Sequence, residues 1–140
     1  MEKLFQLILG VVLALLFIAF ARTRGPRREP FIYSVGLIVA ALFYVVFSFA
    51  GATTQWLMLE LIGLLVFTLI AVLGLRVSLW FLALGWASHV LWDVLLHLIR
   101  KQPFVPDWYP VACISFDLIV AGYIAAKLRK RDRLFGSIPH

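Results

Sequence analysis

Apolar residues fall into five long runs along the chain, separated by short polar segments rich in Gly and Pro. A bilayer core takes roughly 20 apolar residues per helix. Segments at about 4–21, 31–50, 56–75, 77–98 and 109–128 meet that length. Gly25, Pro26 and Pro30 break the first connection, and Gly51-Ala52-Thr53-Thr54 forms the second. Gly74-Leu75-Arg76 barely separates spans three and four, which predicts an antiparallel hairpin. Pro103 and Pro106 keep span four from running into span five, where Asp107 suits an N-cap and Pro110 a first helical turn. The pattern predicts an all-α fold. Residues 1–128 form a polytopic membrane bundle of five transmembrane helices, and residues 129–140 form a basic cytoplasmic tail.

Composition supports that reading. The 140 residues are 64% hydrophobic and 14% charged, with a mean hydropathy of +1.01. A soluble domain is about half apolar and about a quarter charged. At this length the chain is one domain. The net charge of +6 does not point to nucleic acid, because the basic residues gather at the ends of apolar runs. There they set topology and meet anionic headgroups. The single cysteine, Cys113, excludes an intrachain disulfide. Ala19-Phe20-Ala21 resembles a signal-peptide cleavage site. Glu2 beside Lys3, however, leaves no positive excess before the first run, and Arg22, Arg24, Arg27 and Arg28 follow it directly. The first run is therefore read as a span.

With the N-terminus outside, the cytoplasmic side receives those four arginines, Arg76, Lys127, Arg129, Lys130, Arg131 and Arg133. Lys3, Arg100 and Lys101 remain outside. The positive-inside rule then expects a multi-pass protein of the inner (plasma) membrane, N-terminus out and C-terminus in. Trp56, Trp80, Trp108 and Tyr109 sit at predicted boundaries, as an aromatic belt would. His140 carries no inference.

The chemistry is concentrated in "SHVLWDVLLH", residues 88–97. Residues four apart share a helix face, so Gly85, His89, Asp93 and His97 form one stripe. Glu60 in span three and Asp117 in span five also stand in apolar surroundings. Asp117 has its own stripe of Cys113, Ala121 and Ala125, whose small residues suit packing against the Gly85 face. At about 1.5 Å per residue, Glu60 lies ~6 Å, Asp93 ~8 Å, Asp117 ~12 Å and His89 ~14 Å below the outer end of its span. His97 is at the rim, and Tyr44 and Ser115 fall at similar depth.

A charge at a span's centre costs about 2.5–3.5 kcal/mol. Three acids with two imidazoles and no nearby Lys or Arg leave a negative excess. A proton or a divalent cation such as zinc would neutralise it. His89, Asp93, His97 and Asp117 are the candidate metal ligands, since imidazole and carboxylate both bind zinc. Three ligands from one helix rarely reach one ion, so two of them would combine with Asp117 or Glu60. Asp93, Asp117 and Glu60 are the candidate catalytic carboxylates of a metal-dependent enzyme acting on a lipid ester, amide or phosphoester.

The same residues suit two other readings. One is a proton- or cation-coupled transporter. The other is a hydrogen-bonded His–Asp network in a scaffold, homo-oligomer or accessory subunit of a membrane complex. Glu60 alone suits a protonated acid near headgroup water. Cys113, Trp86 and Trp92 read as packing residues. G-x-S-x-G, H-E-x-x-H, Walker A and C-x-x-C motifs are absent. Because both histidines lie on one span, di-histidine haem ligation within the chain is not expected.

"HVLWDVLLH" followed by "VPDWYPVACISFDLIVAGYIAAK" resembles a family of small, uncharacterised bacterial integral membrane proteins. In that family an H-x3-D-x3-H helix precedes a W-Y-P-x6-D helix. The resemblance covers spans four and five and marks His89, Trp92, Asp93, His97, Tyr109, Pro110 and Asp117. It implies a membrane bundle but no particular activity. In residue type alone the set is similar to metal-dependent membrane hydrolases of the ceramidase-like group, which have more spans and a different motif order.

Overall fold

The computed structural model describes residues 1–136; His140 and the three residues before it lie outside the described residues. Five helices follow one another: α1 (Glu2–Thr23), α2 (Glu29–Ser48), α3 (Thr54–Arg76), α4 (Trp80–Trp92) and α5 (Trp108–Gly136). A π-helical segment, Asp93–Leu98, continues α4 without a break. There is no strand among the described residues. Counting α4 with its π segment, all five are long and apolar enough to cross a membrane, so the chain is a multi-pass membrane protein. Their outward faces carry large apolar side chains such as Leu16, Leu65 and Leu84, and lipid suits that surface better than water.

The predicted spans match the helices to within a few residues at most ends. The exception is α5, which runs on to Gly136 and takes basic residues 129–133 into its last turns. Thr53 caps α3 by accepting from the Trp56 backbone N–H at 3.4 Å. Pro30 stands in the first turn of α2, where its missing N–H costs nothing.

Packing follows two pairings. α1 lies along α5 and α2 along α3, while α4 fills the space between α3 and α5. The α3–α4 hairpin is as expected, with Val77–Leu79 as its connection. Gly10 allows α1 and α5 to meet closely, since a Cβ there would stand 2.1 Å from the Ala112 carbonyl oxygen. α1 and α2 touch little despite their short connection, and a cleft separates them.

Two expectations need correction. Gly85 does not face Ala121 and Ala125. A Cβ there would meet Leu37 at 2.7 Å and Ile70 at 2.8 Å, on α2 and α3. At 3.6 residues per turn, each step of four overshoots by roughly 40°, so Gly85 points well away from Asp93. Tyr109 is not in an interfacial belt either. It is buried, and its hydroxyl donates to the Ala40 carbonyl at 3.1 Å.

Candidate functional site

The interior of the bundle holds a connected set of ionisable side chains. His89, Asp93 and Asp117 are each 0% exposed. His89 Nδ1 lies 2.8 Å from Asp117 Oδ2 and 3.6 Å from Asp93 Oδ2. One potential ligand atom from each residue falls within 4.8 Å of the other two. α4 presents the histidine and Asp93 one turn apart, and α5 brings Asp117 across. The ninth position after Trp108 puts Asp117 about 14 Å along α5, near the middle of a hydrocarbon core of about 30 Å.

The predicted set divides in two. His97 and Glu60 lie outside the trio and pair with each other, His97 Nε2 being 3.2 Å from Glu60 Oε1. That approach is misaligned for a hydrogen bond, and both atoms lack a hydrogen-bond partner among the described residues. Trp92 Nε1 donates to the other Glu60 oxygen at 3.2 Å. Its ring occupies the space left by Gly63, where a Cβ would stand 2.5 Å from it. Glu60 is thus a buried group at 1% exposure. Ser115 takes no part, because its single hydroxyl proton is directed to the Leu7 carbonyl at 2.8 Å or shared with the Ala112 carbonyl at 3.0 Å.

Tyr44 of α2 joins the two halves. Its hydroxyl donates to Asp93 Oδ1 at 2.5 Å. Its ring stacks on His97, with centroids 3.9 Å apart and planes at 8°. Depth alone pointed to this residue in the sequence.

The π segment makes this arrangement possible. The Ile99 backbone N–H donates to Val94 O at 3.0 Å, five residues back. In an α-helix His97 would stand roughly 40° beyond Asp93 and 80° beyond His89. The wider turn cuts that drift, and both Asp93 and His97 remain inward, at 0% and 4% exposure. Such insertions are often found at functional sites.

Two cavities flank the set. One, of about 290 Å³, lies in the cleft between α1 and α2. Leu13, Phe17, Val39 and Phe43 line it, with Trp86 and Asp117 among the α4 and α5 residues. The other, of about 380 Å³, has a mixed polar and apolar lining and lies at the end of the bundle that carries the N-terminus. Glu2, Lys3, Lys101 and Asp107 line it together with His97.

A further cluster, not anticipated from the sequence, ties α2 to α5 at the arginine-rich end. Buried Glu29 accepts from Tyr33 at 3.0 Å and Tyr123 at 3.1 Å, and pairs with Lys127. Tyr33, one turn after Glu29, was the available signal. Glu29 itself was hidden among four arginines in a presumed loop.

A profile for a family of unknown function, DUF6010, matches residues 5–130, and the chain belongs to that family. No curated protein and no solved structure matches it.

Proposed function

We propose that His89, Asp93 and Asp117 hold one divalent metal ion, such as zinc, and that the site hydrolyses an ester or amide linkage of a membrane lipid. The observation that carries this reading is the trio itself: three ligand-type side chains, fully buried, with potential ligand atoms within 4.8 Å of one another. Zinc bonds of about 2.0–2.2 Å in a tetrahedron place ligand atoms about 3.4 Å apart. The 3.6 Å between His89 and Asp93 suits that, and the 2.8 Å between His89 and Asp117 has to open by only about half an ångström. Two carboxylates with a neutral imidazole balance a charge of +2, so the filled site is neutral in lipid.

A bound zinc supplies Lewis acidity and lowers the pKa of a coordinated water to about 7. The protein's part is positioning and proton transfer. Tyr44 fixes the Asp93 carboxylate by donating to its second oxygen, as partners of metal ligands commonly do. Asp117 Oδ1 has no hydrogen-bond partner, which suits it to take a proton from water and return it to the leaving alcohol or amine. The bond between the carbonyl carbon and the leaving group breaks, and one water is consumed. His97 and Glu60 connect the site to the mixed-lining cavity, from which water arrives and to which protons leave. The site lies in the outer half of the membrane, with the N-terminus outside and the C-terminus cytoplasmic, as the charge distribution favours.

Metal analysis of the purified protein after zinc loading tests the reading. About one zinc per chain is expected in the wild type. Asp93→Asn and Asp117→Asn should each lose it while still inserting and purifying normally. A wild-type protein that retains no metal above background refutes the proposal, as does full retention in both variants.

A further inference from the structure

The cleft between α1 and α2 has a chemistry of its own. Its walls are apolar, with Leu13 and Phe17 on α1 and Val39 and Phe43 on α2. Among the side chains with polar atoms that also line it are Trp86 and Asp117. They are 1% and 0% exposed, and each has one atom without a hydrogen-bond partner among the described residues: Trp86 Nε1 and Asp117 Oδ1. Buried polar atoms are rarely left unpartnered, and each one that is calls for an explanation, such as strain, a catalytic role or a partner that binds there. The indole N–H is a donor only, so its missing partner is an acceptor.

We infer that this cleft binds one acyl chain of a membrane lipid, with the chain's ester or amide carbonyl accepting from Trp86 Nε1 beside Asp117. The inference names the substrate class of the site proposed above and rests on that reading for the fate of the linkage. A plain hydrocarbon would fill the walls but leave both polar atoms unmet. A charged headgroup would find apolar surface along the whole length of the cleft. A chain carrying a carbonyl fills the walls and accepts from the Trp86 N–H; an amide N–H would also donate to Asp117 Oδ1, which an ester leaves free. The separation of α1 from α2 lets such a chain slide in from the bilayer toward the His89–Asp93–Asp117 trio. Trp86 is on this account a positioning and specificity residue. Phe17, 6.1 Å from Trp86 and 5.5 Å from Phe116 between ring centroids, holds the indole in place.

Photolabelling in nanodiscs tests this. The probe is a phosphatidylethanolamine with a diazirine in one acyl chain, and adducts are mapped by peptide mass spectrometry. Adducts should concentrate on Leu13, Phe17, Val39 and Phe43 at least fivefold over the lipid-facing positions Leu16, Leu84 and Leu91. Ala40→Phe, or Val39→Trp at the mouth, should cut cleft labelling at least fivefold with zinc content unchanged. Hexadecanamide should compete at least tenfold better than hexadecane, and Trp86→Phe should shrink that advantage below threefold. Uniform labelling, labelling unchanged in both filled variants, or equal competition by alkane and amide overturns the inference. Cleft labelling in a protein that binds no zinc sinks the metal reading alone. Zinc binding with uniform labelling sinks the cleft alone.

Discussion

Tyr44→Phe removes one hydroxyl from the centre of the polar set and leaves the ring in place. The residue is 1% exposed, so no water replaces the lost donor. Asp93 Oδ1 loses the bond it accepts at 2.5 Å, while the stack on His97 persists. A hydrogen bond to a charged group contributes about 1.5–3 kcal/mol. Partners that orient metal ligands change metal affinity by about 10–100-fold, which is roughly 1.4–2.7 kcal/mol. The two ranges agree, so zinc affinity should fall by about one to two orders of magnitude. A chelator competition titration of the detergent-solubilised protein reads this directly. Tyr109→Phe is the matched control. It also loses a hydroxyl bond, 3.1 Å to the Ala40 carbonyl, but that bond does not touch the trio. Both variants should unfold a few degrees earlier, and only Tyr44→Phe should lose zinc affinity. A change below threefold in Tyr44→Phe, or equal losses in both variants, refutes the argument that Tyr44 positions a metal ligand.

Gly63→Ala should destabilise the bundle by about 1–3 kcal/mol, because its Cβ would meet the Trp92 ring at 2.5 Å; thermal unfolding checks it, and zinc stoichiometry should stay constant. Glu29→Gln loses the Lys127 pair and weakens the bonds from Tyr33 and Tyr123, so the melting temperature should fall by a few degrees with zinc affinity unchanged. A reporter fused after Arg133 should read cytoplasm and one before Met1 the outside; a C-terminal reporter on the outside would contradict the charge-based orientation.

The spans were legible because hydropathy over about 20 residues is a strong signal, and the short Gly/Pro connections marked the breaks. The trio was legible for a different reason. His89 and Asp93 are one turn apart, and Asp117 falls at a matching depth on the next span, so two independent counts converged. What misled was treating a spacing of four as a straight line. That assumption aimed Gly85 at α5, whereas the drift of a real helix turns it to Leu37 and Ile70. It also put His97 in line with His89, and no residue type between Asp93 and Leu98 announced the π segment that holds His97 over Tyr44. The turn sets His97 against Tyr44 on α2 and Glu60 on α3, residues far from it in the sequence. Glu29 was missed because an acid among arginines looks like a solvated loop until α5 is seen to bring Lys127 and Tyr123 to it.

The choice between a site and a scaffold turns on which atoms are left over. A network selected only to hold helices together would satisfy its own lone pairs, because an unmet buried polar atom costs about 1–3 kcal/mol. The Glu29 cluster behaves that way, with one carboxylate meeting three donors. The central set does not. Asp93 Oδ2, Asp117 Oδ1 and His89 Nε2 are buried without hydrogen-bond partners among the described residues, and the single imidazole can donate only one proton toward both acids from Nδ1. A cation between the three would engage an oxygen of each acid together with the ring nitrogen, and would remove the charge that makes the arrangement costly in lipid. The atom this leaves on Asp117 belongs to a residue lining the apolar cleft, and the far end of the network, His97, lines the mixed-lining cavity. Packing alone gives no reason for a buried polar chain to end on an apolar cavity at one side and a partly polar cavity at the other. The reaction proposed above, taking its lipid from one side and its water from the other, would give one.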